Sequence, residues 1–350
     1  MVKNRLRLFL SLVFLLICFV LMQPANAPAS NDKIWKLRWW TQSGDTPPQG
    51  SVIKEFVNSV KEKTGGRVII DVYWNESLIG PKDALMGLKS GIVDAGNLWT
   101  GIYAGEFPVS EVVQLPFTGI DSPYVLYEVL NTLYSKSLMK EYDNKGFKFL
   151  GFQPTGYMGL FTNFKITSMD DLKGKKLRVH SGPPVDAFKE LGATPVSVLP
   201  AEIYMSLERG VLDGCTSEPG YLVPTKIHEV GEYFLTNPLY CGAPFFLAVN
   251  QKVWDSFPDD IKSIMESCFK QFSIDWIESA INTRKDLEEV MKRDGIIFNA
   301  ISPEEYARWK EKSKSAVINW IERMNGLGYP GQEIVDIAME VIENYGSSPN

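Results

Sequence analysis

A chain of 350 residues is too long for one comfortable hydrophobic core, so two domains are expected. With 45% hydrophobic and 22% charged residues its composition is globular, neither disordered nor fibrous. A formal charge of -6 is a poor match to nucleic acid, which recruits positive faces.

The basic stretch MVKNRLR, the apolar run LFLSLVFLLICFVLM and the small-residue segment PANAPAS read as a cleavable export signal over residues 1–29. Cleavage after Ala29 fits at least as well as cleavage after Ala27, which would leave Pro28 first. Loss of this segment removes Lys3, Arg5 and Arg7 and no acid, so the mature charge becomes -9. Cys18 lies inside the apolar run and suits a lipid anchor poorly. No later stretch approaches the 18 apolar residues a membrane span needs. A soluble, periplasmic product is expected. Cys215, Cys241 and Cys268 remain, an odd number without CxxC, which permits at most one disulfide.

IWKLRWW (34–40) predicts a first strand, and SVIKEFVNSVKEKTG predicts a helix with Ile53, Phe56, Val57 and Val60 on one face. RVIIDVYW is a second strand, PKDALMGLKSG a short helix stopped by Gly91, and IVDAGNLW a third strand. This βαβαβ opening suits an open α/β domain. Residues 122–145 read as a helix, followed by the strands FKFLGFQ and GYMGLFTNF. In SMDDLKG, Ser168 or Asp170 is placed to cap a helical turn. Residues 172–214 then alternate strand and helix. APFFLAVN (243–250) is strand-like, and 251–292 hold one or two long amphipathic helices, broken if anywhere near Pro258. GIIFNAIS is a strand, and 302–325 and 331–345 are helices.

One internal echo stands out. GLKSGIVDAG and SLERGVLDG match at Leu88, Gly91 and Asp94 against Leu207, Gly210 and Asp213. Each joins a helix end, a glycine stop and a strand start, so they read as equivalent corners of two similar lobes. The aspartates either accept backbone N–H groups at the strand start or face a cleft; the structural role is favoured.

The chemistry of catalysis is thin. There are two histidines, His180 and His228, and no HExxH, GxSxG, GxGxxG or P-loop pattern. No nucleotide cofactor has a visible home. Arg178, at the entry of the short apolar strand that KGKKLR runs into and before the Gly182–Pro184 turn, is either a carboxylate clamp or a surface arginine paired with a neighbouring acid. His180, two residues on, either reaches the mouth of the sheet or is an ordinary satisfied histidine.

DLKGKKLRV followed by LGATPVSVLPAEIYMSLERGVLDG resembles the DctP-type solute-binding proteins of tripartite ATP-independent periplasmic (TRAP) transporters. TGGRVIIDVY, ALMGLKSGIVDAG and VVQLPF fit the same family, over about residues 34–345. The resemblance implies a type II periplasmic-binding-protein-like α/β fold: two lobes with mixed, mostly parallel sheets, hinge strands and a long bracing helix. Lobe 1 is expected from 34–155 and 243–285, lobe 2 from 156–242 and 286–345. The resemblance also implies a receptor that captures a small organic acid in an interlobe cleft and hands it to a TRAP membrane permease. It makes Arg178 the carboxylate-binding residue. Many members place an asparagine where this protein has Ser217, and metal-using members place an acid–tryptophan pair at Thr216 and Ser217. No metal is therefore expected, although Glu218 keeps a cation open.

Further candidates for the cleft are Asn97 and Trp99 at the end of the third strand, Tyr157 after the crossover, Tyr221, Phe245 and, more weakly, Gln42. Core packing is the rival reading for the aromatic ones. The expected product is no enzyme, binds no nucleic acid and is a monomer. An exported two-lobe enzyme and a ligand-presenting sensory protein remain as alternatives.

Overall fold

The computed structural model describes residues 33–103 and 105–346; the expected export signal over 1–29 lies outside the described residues. The protein opens β1 (Trp35–Trp40), α1 (Gln49–Lys63), β2 (Val68–Tyr73), α2 (Ala84–Ser90) and β3 (Ala95–Trp99), the expected βαβαβ unit, followed by α3 (Pro123–Ser135) and β4 (Phe147–Gln153). It then crosses to β5 (Tyr157–Thr162), β6 (Lys176–Arg178), α4 (Pro183–Glu190), β7 (Thr194–Val196), α5 (Ile203–Glu208), β8 (Gly214–Ser217), α6 (Pro219–Leu222) and β9 (Tyr233–Cys241). It returns for β10 (Phe245–Asn250), α7 (Gln251–Asp255) and α8 (Asp259–Arg293). Last come β11 (Ile297–Asn299), α9 (Pro303–Lys312), α10 (Lys314–Gly326) and α11 (Gly331–Gly346).

Two sheets result, in the orders β2-β1-β3-β10-β4 and β7-β6-β8-β5-β9-β11. Written this way they share one plan. Each has a strand donated by the crossing backbone, β10 in the first and β5 in the second. That strand runs antiparallel to both its neighbours. The pairs β1–β3 and β6–β8 are parallel.

The repeated Gly-Asp corner fixes the equivalence atom by atom. Gly91 and Gly210 both take the left-handed conformation, at φ 86° and 67°, that glycine adopts most readily. Asp94 accepts the backbone N–H of Arg38 at 2.9 Å, and Asp213 accepts that of Lys176 at 2.7 Å. In return, the backbone N–H of each aspartate donates to the carbonyl of the same partner, Arg38 or Lys176. Both carboxylates thus stitch a strand start to the neighbouring parallel strand, as the structural reading expected. Counting from these corners, Arg178 in the second sheet is the equivalent of Trp40 in the first, since they pair with Cys215 and Gly96.

The long helix braces both halves. Its 35 residues span about 50 Å at 1.5 Å per residue. Phe269 and Phe272 pack on Trp39 and Phe56 of the first lobe, while Met291 lies in a core of the second with Phe161 and Phe234. Pro258 separates it from α7, and Asp259 and Asp260 in its first turn complement the helix dipole.

Two local expectations differ from the structure. Helix α3 ends at Ser135, not 145, because Ser137 turns to φ 58° and a lone helical turn, Lys140–Tyr142, follows. The predicted helix over 302–325 is two helices that meet at the buried Ser313. At the turn over 169–172 Ser168 is the N-cap, as expected, and Asp171 completes a capping box by accepting the N–H groups of Thr167 and Ser168.

The C-terminal helices also pack otherwise than expected. Trp320, Met324, Ile334 and Ala338 belong to the core that contains Leu126, Leu130 and Phe246 of the first lobe, so residues 314–346 are not part of the second lobe's core. Trp309 of α9 stays with the second.

The two corners are unequal. Asp94 is buried and also receives both Nε and a terminal nitrogen of Arg38, whereas Asp213 is half-exposed. Asp94→Ala should therefore destabilise by about 2–4 kcal/mol and Asp213→Ala by about 1 kcal/mol. Denaturant melts of the two variants check this; equal losses would contradict the assignment.

Candidate ligand-binding site

Arg178 ends the three-residue strand β6, held between β7 and β8, and is 7% exposed. Among the described residues no carboxylate lies within 4.0 Å of its guanidinium. A buried cation without an anion is costly, so its surroundings matter. A terminal nitrogen lies 3.5 Å from His180 Nε2, the outer limit of a hydrogen bond. His180 Nδ1 is 3.0 Å from the Tyr240 hydroxyl, which also accepts the His180 backbone N–H at 3.2 Å. The Tyr240 oxygen lies 2.5 Å from Thr216 Oγ1, and the Thr216 hydroxyl donates to the Arg178 carbonyl at 3.4 Å.

Proton bookkeeping gives this ring one direction. Arginine only donates, so His180 Nε2 accepts and Nδ1 carries the proton toward Tyr240. Tyr240 then passes its own proton to Thr216. Burial, and then the charge of Arg178, push the His180 pKa well below its ordinary value, which keeps the imidazole neutral. Burial raises Tyr240 and Cys215 each to about 12.

Residues 180–182, directly after β6, touch the first lobe at three points. The His180 ring meets the edge of Trp99 with centroids 5.7 Å apart. The Ser181 hydroxyl donates to the Gly101 carbonyl at 3.4 Å. Gly182, at φ 83°, lies against the Glu111 carboxylate, which pairs with Arg323. Trp99 is anchored by its Nε1–H to the Ala243 carbonyl and faces Phe245 at 6.4 Å. Tyr221 feels the charge of Arg178 from its own lobe and of Glu76 from the other, although burial is what raises it to about 12. Gln42 donates to Glu76 at 2.8 Å.

Arg178, His180, Trp99, Phe245 and Tyr221, with Gln42 behind Glu76, therefore stand around the junction of the two sheets. Ser217 is buried at the end of β8, one residue past Thr216. Asn97 is not in this group. It is wholly buried and donates to Gln153 across β10, which leaves Asn97 Oδ1 and Gln153 Nε2 unpartnered. Tyr157 and Glu218 form a separate knot. The Arg284 guanidinium of α8 sits 3.9 Å over the Tyr157 ring, with its Nε on Glu288. Desolvation raises the Glu218 pKa against the pull of Arg284 and the Gly156 N–H. Cys215, Cys241 and Cys268 are free and buried.

The DctP family model, described as bacterial extracellular solute-binding protein, family 7, matches residues 41–323. The protein belongs to this family. It is 28% identical over 272 residues to the C4-dicarboxylate-binding periplasmic protein DctP of Rhodobacter capsulatus, covering 75% of this sequence and 80% of that one. A TRAP periplasmic solute-binding protein of Desulfovibrio salexigens superimposes with a TM-score of 0.79 at 25% identity, covering 90% of this sequence and 98% of that one. That structure is an open complex with the C-terminus of a symmetry mate in its ligand-binding site. A Sulfitobacter TRAP solute-binding protein with bound β-D-galacturonate superimposes at 0.77 with 22% identity, over 87% of this sequence and 99% of that one.

In this DctP-family protein three residues at or near the site are not legible from the sequence. Tyr240 lies 60 residues from His180, and nothing local marks it. Gln153 and Arg284 read as ordinary strand-end and helix-face residues.

Two outcomes follow from the geometry. A Cβ at Gly156 would fall 1.9 Å from Glu218 Oε2, so Gly156→Ala should destabilise by about 1–3 kcal/mol. Adding Glu218→Ala should recover at least about 1 kcal/mol in a double-mutant cycle; additive losses would refute the clash. The second concerns pH. Because His180 is depressed when folded, the unfolded state binds the extra proton, and stability is lost as pH falls below about 6.5, by up to about 1.4 kcal/mol per unit. His180→Gln should flatten that part of the melting-temperature profile between pH 7 and 5, and an unchanged slope would contradict it.

Proposed function

We propose that this protein is a periplasmic receptor, not an enzyme, that captures a small organic acid between its lobes and delivers it to a TRAP permease. One observation carries the reading: among the described residues no carboxylate lies within 4.0 Å of the buried Arg178, in a family of solute-binding proteins. A ligand carboxylate matches that guanidinium in charge and, through its planar fork, in shape.

The relatives support an acid. One is a C4-dicarboxylate-binding protein, one holds a galacturonate, and one holds the C-terminus of a symmetry mate, a segment that ends in a carboxylate. The Trp99 and Phe245 rings, close to His180, offer apolar walls to the rest of the molecule. Their edges suit a compact or ring-bearing acid better than a long polar one. The basic, apolar and small-residue start of the sequence supports export.

A thermal-shift screen of monocarboxylates, C4-dicarboxylates, uronates and aromatic acids should identify a stabilising acid. For that acid, Arg178→Ala should weaken binding about 100-fold or more, the scale of a buried charge-assisted pair. The ligand-free variant should melt no lower than the parent, since it loses an unpaired buried charge. Undiminished affinity in Arg178→Ala would overturn the clamp.

A further inference from the structure

We propose that His180 is the positioning residue of the carboxylate clamp: as the neutral, Nδ1-protonated tautomer it ties one guanidinium nitrogen of Arg178 to Tyr240 and Thr216, leaving the remaining N–H groups for the ligand. The inference rests on the reading of Arg178 as the clamp. It also changes the role of His180 itself. Both ring nitrogens are engaged, Nε2 by Arg178 and Nδ1 by Tyr240, so the imidazole has no N–H to offer a ligand.

The geometry supports positioning in three ways. An arginine side chain has several rotatable bonds, and holding its fork in place beforehand lowers the entropic cost of binding. Among the described residues no carboxylate lies within 4.0 Å to do the holding, and the side-chain contact of the guanidinium is to His180. The contact works only in one tautomer, because an imidazole protonated at Nε2 would present a donor to a donor. Tyr240 enforces the required tautomer: it takes the Nδ1 proton and the backbone N–H of His180 on one oxygen, and sends its own proton to Thr216. The Thr216 hydroxyl returns to the Arg178 carbonyl and closes the ring on the residue it positions. Finally, the His180 ring packs nearly perpendicular to Trp99 of the other lobe, which stops the imidazole from swinging away.

The sequence has only two histidines, so ring-nitrogen NMR of the full protein can be assigned by comparison with His180→Gln. The wild type should show His180 as the Nδ1–H tautomer and a slowly rotating Arg178 guanidinium, with no ligand added. His180→Ala should free the guanidinium, and Tyr240→Phe should shift His180 toward the Nε2–H form and loosen Arg178. His180→Gln, whose amide oxygen can accept where Nε2 does, should restore the restraint.

Acetate serves as the carboxylate probe. Its affinity should fall about tenfold in His180→Ala, the worth of one hydrogen bond to a charged group, and return to within about threefold of wild type in His180→Gln. An Nε2–H or doubly protonated His180 in the wild type, or an Arg178 still immobilised in His180→Ala, overturns the proposal. Should His180→Ala fail to fold, the wild-type tautomer and Tyr240→Phe still decide. Acetate affinity unmoved by Arg178→Ala overturns the clamp reading instead. Loss in Arg178→Ala without loss in His180→Ala overturns the positioning role alone.

Discussion

A guanidinium taken out of water needs replacement partners, and the site at Arg178 supplies too few of them. Its partners are a neutral imidazole at the edge of hydrogen-bonding range and, through its own carbonyl, a threonine hydroxyl. That deficit is what suits the second lobe to receive an anion. An acid at the same place would have neutralised the arginine internally and left nothing for a ligand to do. The polar ring through His180, Tyr240 and Thr216 solves a different problem. It holds the cation still without cancelling its charge, which only groups that stay neutral achieve.

The two lobes share a strand plan, and the departures from it point to the function. At the position equivalent to Arg178 the first lobe carries Trp40, fully buried, with its indole N–H on the Ile79 carbonyl. One corner is therefore closed by an apolar ring and the other is opened by a charge. The aspartates of the two corners remain equivalent, because both perform the same backbone task. Symmetry persists where the backbone must be stitched together and breaks where it must recognise something.

Much of this is legible from local pattern. Strands of period two, the glycine stops and the repeated Leu-Gly-Asp spacing mark the elements and the equivalence of the corners, because those signals act over a few residues. Arg178 is expected at the entry of its strand and instead ends it, so its candidacy owes more to the family resemblance than to its local placement. The failures share a cause. Asn97 reads as a cleft residue, yet it turns to Gln153 across an intervening strand. Tyr240 escapes notice because its partner is 60 residues away, and a strand tyrosine carries no mark of what its hydroxyl will meet. The C-terminal helices pack on the core opposite to the expected one because their apolar faces say that they are buried, not against what. Long-range partnership is set by the fold, and no periodicity encodes it.

The two lobes meet along five consecutive residues. Arg178 and Val179 belong to the second lobe's clamp strand and core, while His180, Ser181 and Gly182 each contact the first lobe. The guanidinium thus lies within one short turn of contacts to Trp99, Gly101 and Glu111. Gly182 admits the closest of these approaches: a Cβ there would come within 3.1 Å of the Glu111 carboxylate, and the φ of 83° disfavours any side chain. The crossover at 242–244 lies beside the same turn, since the Ala243 carbonyl accepts the Trp99 indole N–H and the Pro244 carbonyl accepts the Thr100 N–H. Tyr157, Glu218 and Arg284 form a second cluster, in which the guanidinium stacks on the Tyr157 ring and a half-buried acid lies beside the Gly156 N–H. The charge of Arg284 is thus met by Glu288 within its own helix, whereas Arg178 has no carboxylate within 4.0 Å among the described residues.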